Sequence, residues 1–287
     1  MWPLPADSAT TKLITNELLS DFIECKYRAY LKLTGTTGQR PPDDLRSQLV
    51  NDYHIQARDH LLRAYRDKAV CTDLPLSLVL AKRYDLAIDV TATDADVSVH
   101  LDALIAAPSA ASTHRPQYIP ILFAPEETVR NEDKLLLVLH AFILSRQQGA
   151  EPLFGRILHG SRFTSSKVHL RKLLASAAKA ILDMHAHTRE SDPPPLHLNR
   201  HCPTCEFRDG CRAILVEKDD LSLLRGMKPK EILKLRHKGI FTVMQLSYTF
   251  RVRKKSKRPS QKTVRYYHSL KALALRRKGS TSPVNPS

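Results

Sequence analysis

The chain has 287 residues, of which 42% are apolar, 26% charged and 6% aromatic, so it is long enough for one large or two small domains with a buried core. This composition excludes a chain that is disordered throughout. No apolar run approaches the roughly 18 residues that a membrane span requires, and residues 1–11 lack the features of a signal peptide, so we expect a cytoplasmic protein without a membrane partner.

The positive charge is concentrated at the C-terminal end. The net charge is +16, but residues 1–224 hold 27 bases and 28 acids, whereas residues 225–287 hold 18 bases and one acid, Glu231. A near-neutral body with a strongly basic end is typical of a protein that binds a polyanion, and nucleic acid is the leading candidate. The alternatives are a solvated or disordered tail and, within residues 251–258, a localisation signal.

Hydrophobic periodicity predicts helices and strands in alternation along the body of the chain. The predicted elements are helices over 13–33 and 43–69, strands over 82–91, 97–106 and 117–123, a helix over 131–147, a strand over 152–160 and a helix over 170–187. This order predicts an α/β fold in which helices flank a mixed sheet. A proline-rich link at 192–195 ends this part of the chain and leads to three clustered cysteines.

Three of the five cysteines, Cys202, Cys205 and Cys211, have the spacing C-x2-C-x5-C. Such a loop directs several sulfurs to one point, which is typical of a metal or cluster site. Cys25 is the natural candidate for a fourth ligand, whereas Cys71 is expected to be a core residue. Spacing alone leaves three interpretations open: an iron–sulfur cluster, Zn2+ with His197 or His201 as an optional ligand, and cysteines with only a structural role.

A small helical module is predicted over 221–250, with two short amphipathic stretches joined at 238–240. Its expected core comprises Leu223, Leu224, Ile232, Leu235, Ile240, Val243 and Leu246. Glycine turns between short helices can bring backbone amides close to a DNA phosphate, as in a helix-hairpin-helix element. The alternative is a plain helical pair that caps the cysteine loop.

Basic residues of this module and of the segment after it are the candidate nucleic-acid contacts. They are Lys228, Lys230, Lys234, Arg236, Lys238, Arg251, Arg253, Lys254, Lys255, Lys257 and Arg258. A final helix is expected over 262–277. Nothing in the pattern reads bases, so we expect binding that tolerates sequence and weakens with salt.

Several motifs together resemble a known family. Residues 20–32 (SDFIECKYRAYLK), the HLDAL of residues 100–104 and the distant C-P-x-C-x5-C resemble the iron–sulfur nucleases of the RecB-like PD-(D/E)XK superfamily, which includes exonucleases of CRISPR adaptation and AddB subunits. The resemblance extends from about residue 13 to residue 276. It implies a restriction-endonuclease-like mixed sheet closed by an iron–sulfur loop. It also implies a [4Fe-4S] cluster held by Cys25, Cys202, Cys205 and Cys211.

The resemblance also implies a phosphodiesterase site with Mg2+ or Mn2+. His54 corresponds to the early helical ligand and Asp102 to the strand aspartate, and both are candidate metal ligands and catalytic residues. The next strand, 117–123, lacks the acid and the lysine that the family places there. Glu132 and Lys134 form an E-x-K at the start of the following helix and are the substitute catalytic candidates. Glu126 and Glu127 lie in the loop before it.

The expected organisation is a tail over 1–12, a nuclease-fold domain over 13–218, a helix-hairpin-helix-like module over 219–250 and a basic segment over 251–287. We expect a DNA-binding protein that acts on single strands or ends and, if active, is a metal-dependent exonuclease or endonuclease. Its expected partners include a helicase or a second nuclease subunit. The alternatives are a non-catalytic DNA-binding or docking module, and a zinc-stapled adaptor that binds RNA or another polyanion.

Overall fold

The chain divides into two compact units, residues 1–194 and residues 195–287. The computed structural model describes residues 13–39, 45–94, 97–107, 117–171, 173–189, 193–251 and 262–279. No helix within these ranges is both long and apolar enough to cross a membrane.

A single six-stranded mixed sheet organises the first unit. Its strands are β1 (Val70–Thr72), β2 (Leu86–Asp94), β3 (Val97–Ala106), β4 (Tyr118–Ala124), β5 (Phe154–His159) and β6 (Thr164–His169). They lie side by side in chain order. The pairs β1–β2 and β4–β5 are parallel, and the other three pairs are antiparallel.

Six helices flank this sheet in the described ranges of the first unit. They are α1 (Asn16–Glu24), α2 (Lys26–Leu33), α3 (Leu45–Ala64), α4 (Leu76–Ala81), α5 (Asn131–Gln148) and α6 (Leu174–Arg189). Helices α4 and α5 connect the two parallel strand pairs, as parallel pairing requires a crossover. The predicted α/β class, with a mixed sheet flanked by helices, is confirmed.

Two hydrophobic cores cover the two faces of the sheet. Tyr53, Ala57 and Leu61 of α3, spaced four residues apart, pack with one face. The other face is covered by the larger core, to which α1, α4, α5 and α6 contribute. Every residue of β4 is buried, because its side chains alternate between the two cores. Cys71 lies in the larger core, as predicted.

Three short elements were not predicted, and the predicted helix over 13–33 is interrupted. Strand β1 has three residues, α4 has six, and β6 is polar with Val168 as its one buried residue. Such elements carry too little periodicity to be recognised. The first helical segment breaks at Cys25, whose φ of −161° and ψ of 107° are extended, so that α2 begins at the next residue.

The second unit is helical. Its helices are α7 (Arg208–Glu217), α8 (Pro229–Arg236), α9 (Val243–Tyr248) and α10 (Lys262–Gly279). The seven predicted core residues all lie in its hydrophobic core or pack against it, joined by Leu221, Met227 and Ala272. The predicted core is therefore confirmed. Gly239, with φ of 76°, makes the turn between α8 and α9, a conformation that favours glycine.

Candidate metal centre

Helix α3 and strand β3 bring three metal-ligating side chains together. His54 follows Tyr53, a member of the buried stripe of α3, and therefore lies at the margin of the helix face that covers the sheet. His100 and Asp102 are two residues apart on β3. One ligand atom from each of these three side chains lies within 4.8 Å of those of the other two.

Asp89 of β2 adds a second carboxylate to this group. Its Oδ1 lies 3.1 Å from Nε2 of His100 and 3.3 Å from Nε2 of His54. The Nε2 of His54 also lies 3.7 Å from Oδ1 of Asp102. We call His54, Asp89, His100 and Asp102 the His/Asp cluster.

The backbone of Asp89 is unusual for a strand residue. Its φ is 57°, in the left-handed region that a non-glycine residue seldom adopts. The residues on either side pair with β3, Ile88 with Ala103 and Val90 with Leu101, which sets Asp89 opposite Asp102.

At this position the alternation of side chains between the two faces of the sheet is interrupted on both strands. Ile88 belongs to the core beneath α3, whereas Val90, two residues later, belongs to the larger core on the other face. On β3, Leu101 belongs to the larger core and Ala103 to the core beneath α3. Regular strands keep residues two apart on one face. The irregularity therefore coincides with the two carboxylates, as strained backbone often does at functional sites.

Arg58 supports the cluster from α3, four residues after His54. Its guanidinium contacts Oδ2 of Asp89 through Nη1 at 2.5 Å and Oδ2 of Asp73 through Nη2 at 3.3 Å. Asp73 also has a positive φ, of 57°. Arg58 thus occupies one oxygen of Asp89 and leaves the other directed at the two histidines.

Asp102 is positioned in a similar way. Its Oδ2 accepts a hydrogen bond of 2.7 Å from the backbone N–H of Phe123, and its Oδ1 faces His54. The Phe123 ring packs against the imidazole of His54 with the ring centroids 5.0 Å apart. The Nε2 of His54 is buried and faces two carboxylate oxygens, Oδ1 of Asp89 and Oδ1 of Asp102.

Mutual electrostatics perturb the cluster. Interaction with Asp102 is the main cause that raises the pKa of His54, and the hydrogen bond with Asp89 is the main cause that raises the pKa of His100. Burial acts to raise the pKa of Asp89, but His100, His54 and Arg58 together outweigh it and lower that pKa. The arrangement therefore favours charged carboxylates beside histidines that hold their protons more tightly than usual.

His140 is a further histidine, on α5, that interacts electrostatically with Asp102. It is 1% exposed, and burial lowers its pKa to about 4. Its Nε2 has no hydrogen-bond partner among the residues whose placement is described. His140 is therefore a neutral side chain at pH 7.

Two of the predicted catalytic residues, His54 and Asp102, are brought together, and the other two are not. Glu132 and Lys134 lie at the start of α5, which packs against the opposite face of the sheet from α3, and Glu132 is absent from the group of neighbouring ligand atoms. A catalytic role for Glu132 and Lys134 stays a prediction, and the acids at this position are also favoured there by the first turn of the helix.

The loop acids have structural contacts instead. Glu126 forms an ion pair of 2.6 Å with Arg130. Glu127 accepts a hydrogen bond of 3.0 Å from the backbone N–H of Ser161, in the turn between β5 and β6.

Asp89 and His100 were missed by the sequence analysis. His100 was recognisable, since it lies two residues before Asp102 and a strand places such residues on one face. Asp89 interrupts the apolar run Leu86–Val90, and a charged residue in a buried strand was the available signal.

The predicted cluster ligands belong to both units. Cys25 lies in the first unit, at the break between α1 and α2, and Cys202, Cys205 and Cys211 lie in the second. A 3-10 turn holds Cys202, whose Sγ accepts a hydrogen bond of 3.2 Å from the N–H of Asn199. In the described ranges, no three cysteine sulfurs lie within 4.8 Å of one another. The four-cysteine ligand set stays a prediction.

Most of the described basic candidates in the second unit are exposed. Lys228, Lys230, Lys234, Lys238 and Arg251 have exposed side chains. Arg236 differs, because its Nη2 donates a hydrogen bond of 2.8 Å to Oδ2 of the buried Asp220. The other five candidates, Arg253, Lys254, Lys255, Lys257 and Arg258, lie outside the described residues.

The amides at the start of α9 already have partners within the protein. Oε1 of Gln245 accepts hydrogen bonds from the N–H groups of Phe241 and Thr242. The carbonyl of Asp219 accepts one from Val243, and its carboxylate accepts one of 2.7 Å from Met244. In this arrangement the N–H groups from Phe241 to Met244 are therefore already bonded within the protein. The helix-hairpin-helix-like module stays a prediction.

Comparisons with known proteins assign no family. No family model matches the chain, and no curated protein matches it. Among solved structures, one titled "Crystal structure of SSO0001" is similar at a TM-score of 0.35 and 13% identity, covering 72% of this chain and 89% of that chain. This likeness is too remote to support any conclusion about function.

Proposed function

We propose that the first unit is a divalent-metal-dependent phosphodiesterase that acts on nucleic acid. The observation that carries the proposal is the His/Asp cluster, in which two imidazoles and two carboxylates converge from α3, β2 and β3. Carboxylates and imidazoles are the side chains that hold catalytic metals in proteins. The basic composition of the second unit supports a polyanionic substrate.

The donor set fits a metal ion. His54 presents a buried nitrogen to the two carboxylate oxygens it faces. This nitrogen pairs with the two carboxylates when it is protonated, and a metal ion would bind the same atoms once the proton has left. Arg58 and the Phe123 amide bind the outer carboxylate oxygens, as second-layer groups orient ligands at metal sites.

The chemistry of the donors favours Mn2+ over Mg2+. Mg2+ prefers oxygen ligands almost exclusively, whereas imidazole nitrogen suits later first-row metals. His54, Asp89, His100 and Asp102 would hold the ion, and the bound ion would stabilise charge on a phosphate and acidify a coordinated water.

The open side of the cluster is at His100. Its side chain is 45% exposed, compared with 27% for His54 and 6% for Asp89. A phosphate therefore approaches past His100. Arg58 supplies a fixed positive charge next to Asp89, but a guanidinium does not give up its proton in proteins, so Arg58 cannot take the proton-accepting role of a lysine.

A non-catalytic nucleic-acid-binding module is the second candidate function. The observation that favours it is β4, where all seven residues are buried and neither an acid nor a lysine is present. In this case the cluster would stabilise the fold without performing hydrolysis.

Cleavage assays with matched variants test the proposal. End-labelled single-stranded DNA and RNA are incubated with the full chain and Mn2+ or Mg2+, with Asp89→Asn, Asp102→Asn and the control Asp67→Asn. Asp67 is an exposed aspartate just after α3, with a side chain 85% exposed. We expect Mn2+-dependent cleavage by wild type and by the control, and at least about 100-fold less by the two cluster variants, since each removes a charged metal ligand. Absence of cleavage with intact nucleic-acid binding would instead establish the second candidate.

We also propose that Cys25, Cys202, Cys205 and Cys211 bind a [4Fe-4S] cluster, a proposal that rests on cysteine spacing and the family resemblance. Anaerobic purification followed by iron, zinc and acid-labile sulfide analysis tests it. Stoichiometric zinc without sulfide would support the zinc-stapled alternative. Cys71→Ser is the control variant for these iron, zinc and sulfide contents, because Cys71 belongs to the hydrophobic core and is not a proposed ligand.

A further inference from the structure

Large apolar side chains are exposed just before α9, at Phe241, and on the helix, at Met244 and Tyr248; we call these three residues the apolar stripe. Phe241, Met244 and Tyr248, spaced three and four residues apart, are 53%, 53% and 70% exposed. Val243 and Leu246, on the other side of the same helix, are buried in the core of the second unit. The stripe is therefore a separate surface feature and not a part of the core that failed to close.

The sequence that contains this stripe is strongly basic, although the carboxylate of Asp219 lies 2.7 Å from the N–H of Met244. Residues 232–287 hold 15 Lys or Arg and no Asp or Glu. Lys238 and Arg251 are exposed and adjoin the two ends of the stripe in sequence. Arg276 of α10 lies over the Tyr248 ring at 4.4 Å from its centroid. Aromatic rings beside Lys and Arg are the combination that binds single strands, because bases stack on the rings while the cations contact phosphates.

The filled amides of α9 restrict how this surface can bind a phosphate. The first-turn N–H groups are bonded to Gln245 and Asp219, so contacts must come from side chains. Paired duplexes conceal the base faces that stacking requires. The surface therefore fits unpaired nucleotides better than a double helix.

We infer that Phe241 and Tyr248 form a stacking platform for single-stranded nucleic acid, with Lys238, Arg251 and Arg276 as its phosphate contacts. This inference rests on the proposed function only in taking nucleic acid as the partner of the chain. Met244, which lies between the two aromatic residues in sequence, is a further exposed apolar side chain. DNA and RNA share the necessary chemistry, a π face on every base and a phosphate at every step.

Fluorescence anisotropy with the full chain in EDTA tests the platform without any contribution from turnover. The probes are labelled 20-nucleotide dT and rU strands and a 20-base-pair duplex, each at low and moderate salt. The variants are Phe241→Leu and Tyr248→Leu, which keep an apolar side chain, with Tyr248→Phe and Val216→Ala as controls. Val216 is 56% exposed and lies on α7.

We expect each leucine variant to weaken single-strand binding about tenfold and the double variant to weaken it further, while both controls bind like wild type. Tighter binding of dT or of rU identifies which nucleic acid is the partner. The inference is overturned if the leucine variants bind single strands like wild type, or if wild type binds the duplex as tightly as single strands. The Asp67→Asn control must leave this binding unchanged. Because EDTA removes any metal ion, weaker single-strand binding by the leucine variants reports on the platform, whereas loss of Mn2+-dependent cleavage by the cluster variants reports on the metal centre.

Discussion

Replacement of His140 by leucine should make the protein more resistant to acid. His140 is buried with a pKa of about 4, against 6.5 for the free side chain. Because the folded pKa is depressed, an unfolded chain binds the proton first, and stability is lost as the pH falls from about 6.5 towards 4. Each unit of separation is worth about 1.4 kcal/mol, so this histidine alone removes about 3 kcal/mol of unfolding free energy between pH 7 and pH 4.

Urea unfolding of wild type and His140→Leu at pH values from 7 to 4 measures this effect. His54 and His100 have raised folded pKa values, so they favour the folded state below pH 6.5 and lose that contribution as the pH rises through the folded values. Both histidines are present in both proteins, so the difference between the two proteins reports mainly on His140 and on its electrostatic interaction with Asp102 and His100. Leucine also removes a buried nitrogen without a hydrogen-bond partner in the described part of the chain, which should add about 1 kcal/mol at pH 7. A stability difference that stays constant from pH 7 to pH 4 would refute the argument.

Three further predictions concern backbone and metal binding. Gly239→Ala should cost about 1 kcal/mol of unfolding free energy, because φ is 76° although no atom lies within 4 Å of the added Cβ; a neutral effect in thermal unfolding would contradict this. Gly160→Ala should cost more than Gly239→Ala, because φ is 70° and the new Cβ would also lie 2.7 Å from Oε2 of Glu127; the reverse order in the same assay would contradict it. Mn2+ affinity, measured by calorimetry, should fall as the pH decreases, because metal ligation requires deprotonated imidazoles. The fall should begin at a higher pH than for an ordinary histidine site, because the pKa values of both cluster histidines are raised. A flat affinity between pH 6 and pH 8 would show that histidine does not ligate the metal.

The sequence predicted those parts of the fold that have strong periodicity. Three long strands, the apolar α5 and the core of the second unit all carry repeated hydrophobic spacing and were recognised. The break at Cys25 was not recognised, because the helical spacing of apolar residues continues through it. Tertiary contacts decide where such a segment bends.

Two of the four residues of the His/Asp cluster were identified from the sequence. His54 and Asp102 were found by resemblance, but Asp89 takes part because strand pairing sets it opposite Asp102, at a position where its backbone is left-handed. A pattern with period two cannot reveal a position at which the period fails. The filled amides of α9 were equally hidden, since Asp219 lies 25 residues from Met244 in sequence.

Because the side chains of β2 change faces at Asp89, this residue links the helices on one face of the sheet with those on the other. Upstream of it, β2 holds α3 through Leu86 and Ile88; downstream, the same strand holds the opposite layer through Val90 and Ala92. An ion bound by Asp89 would stabilise β2 at the position where its side chains change faces. Binding at this one centre would therefore stabilise the helices on both faces of the sheet. Metal loading should thus slow amide hydrogen exchange in α3 and α5 alike, although the two helices lie on opposite faces of the sheet.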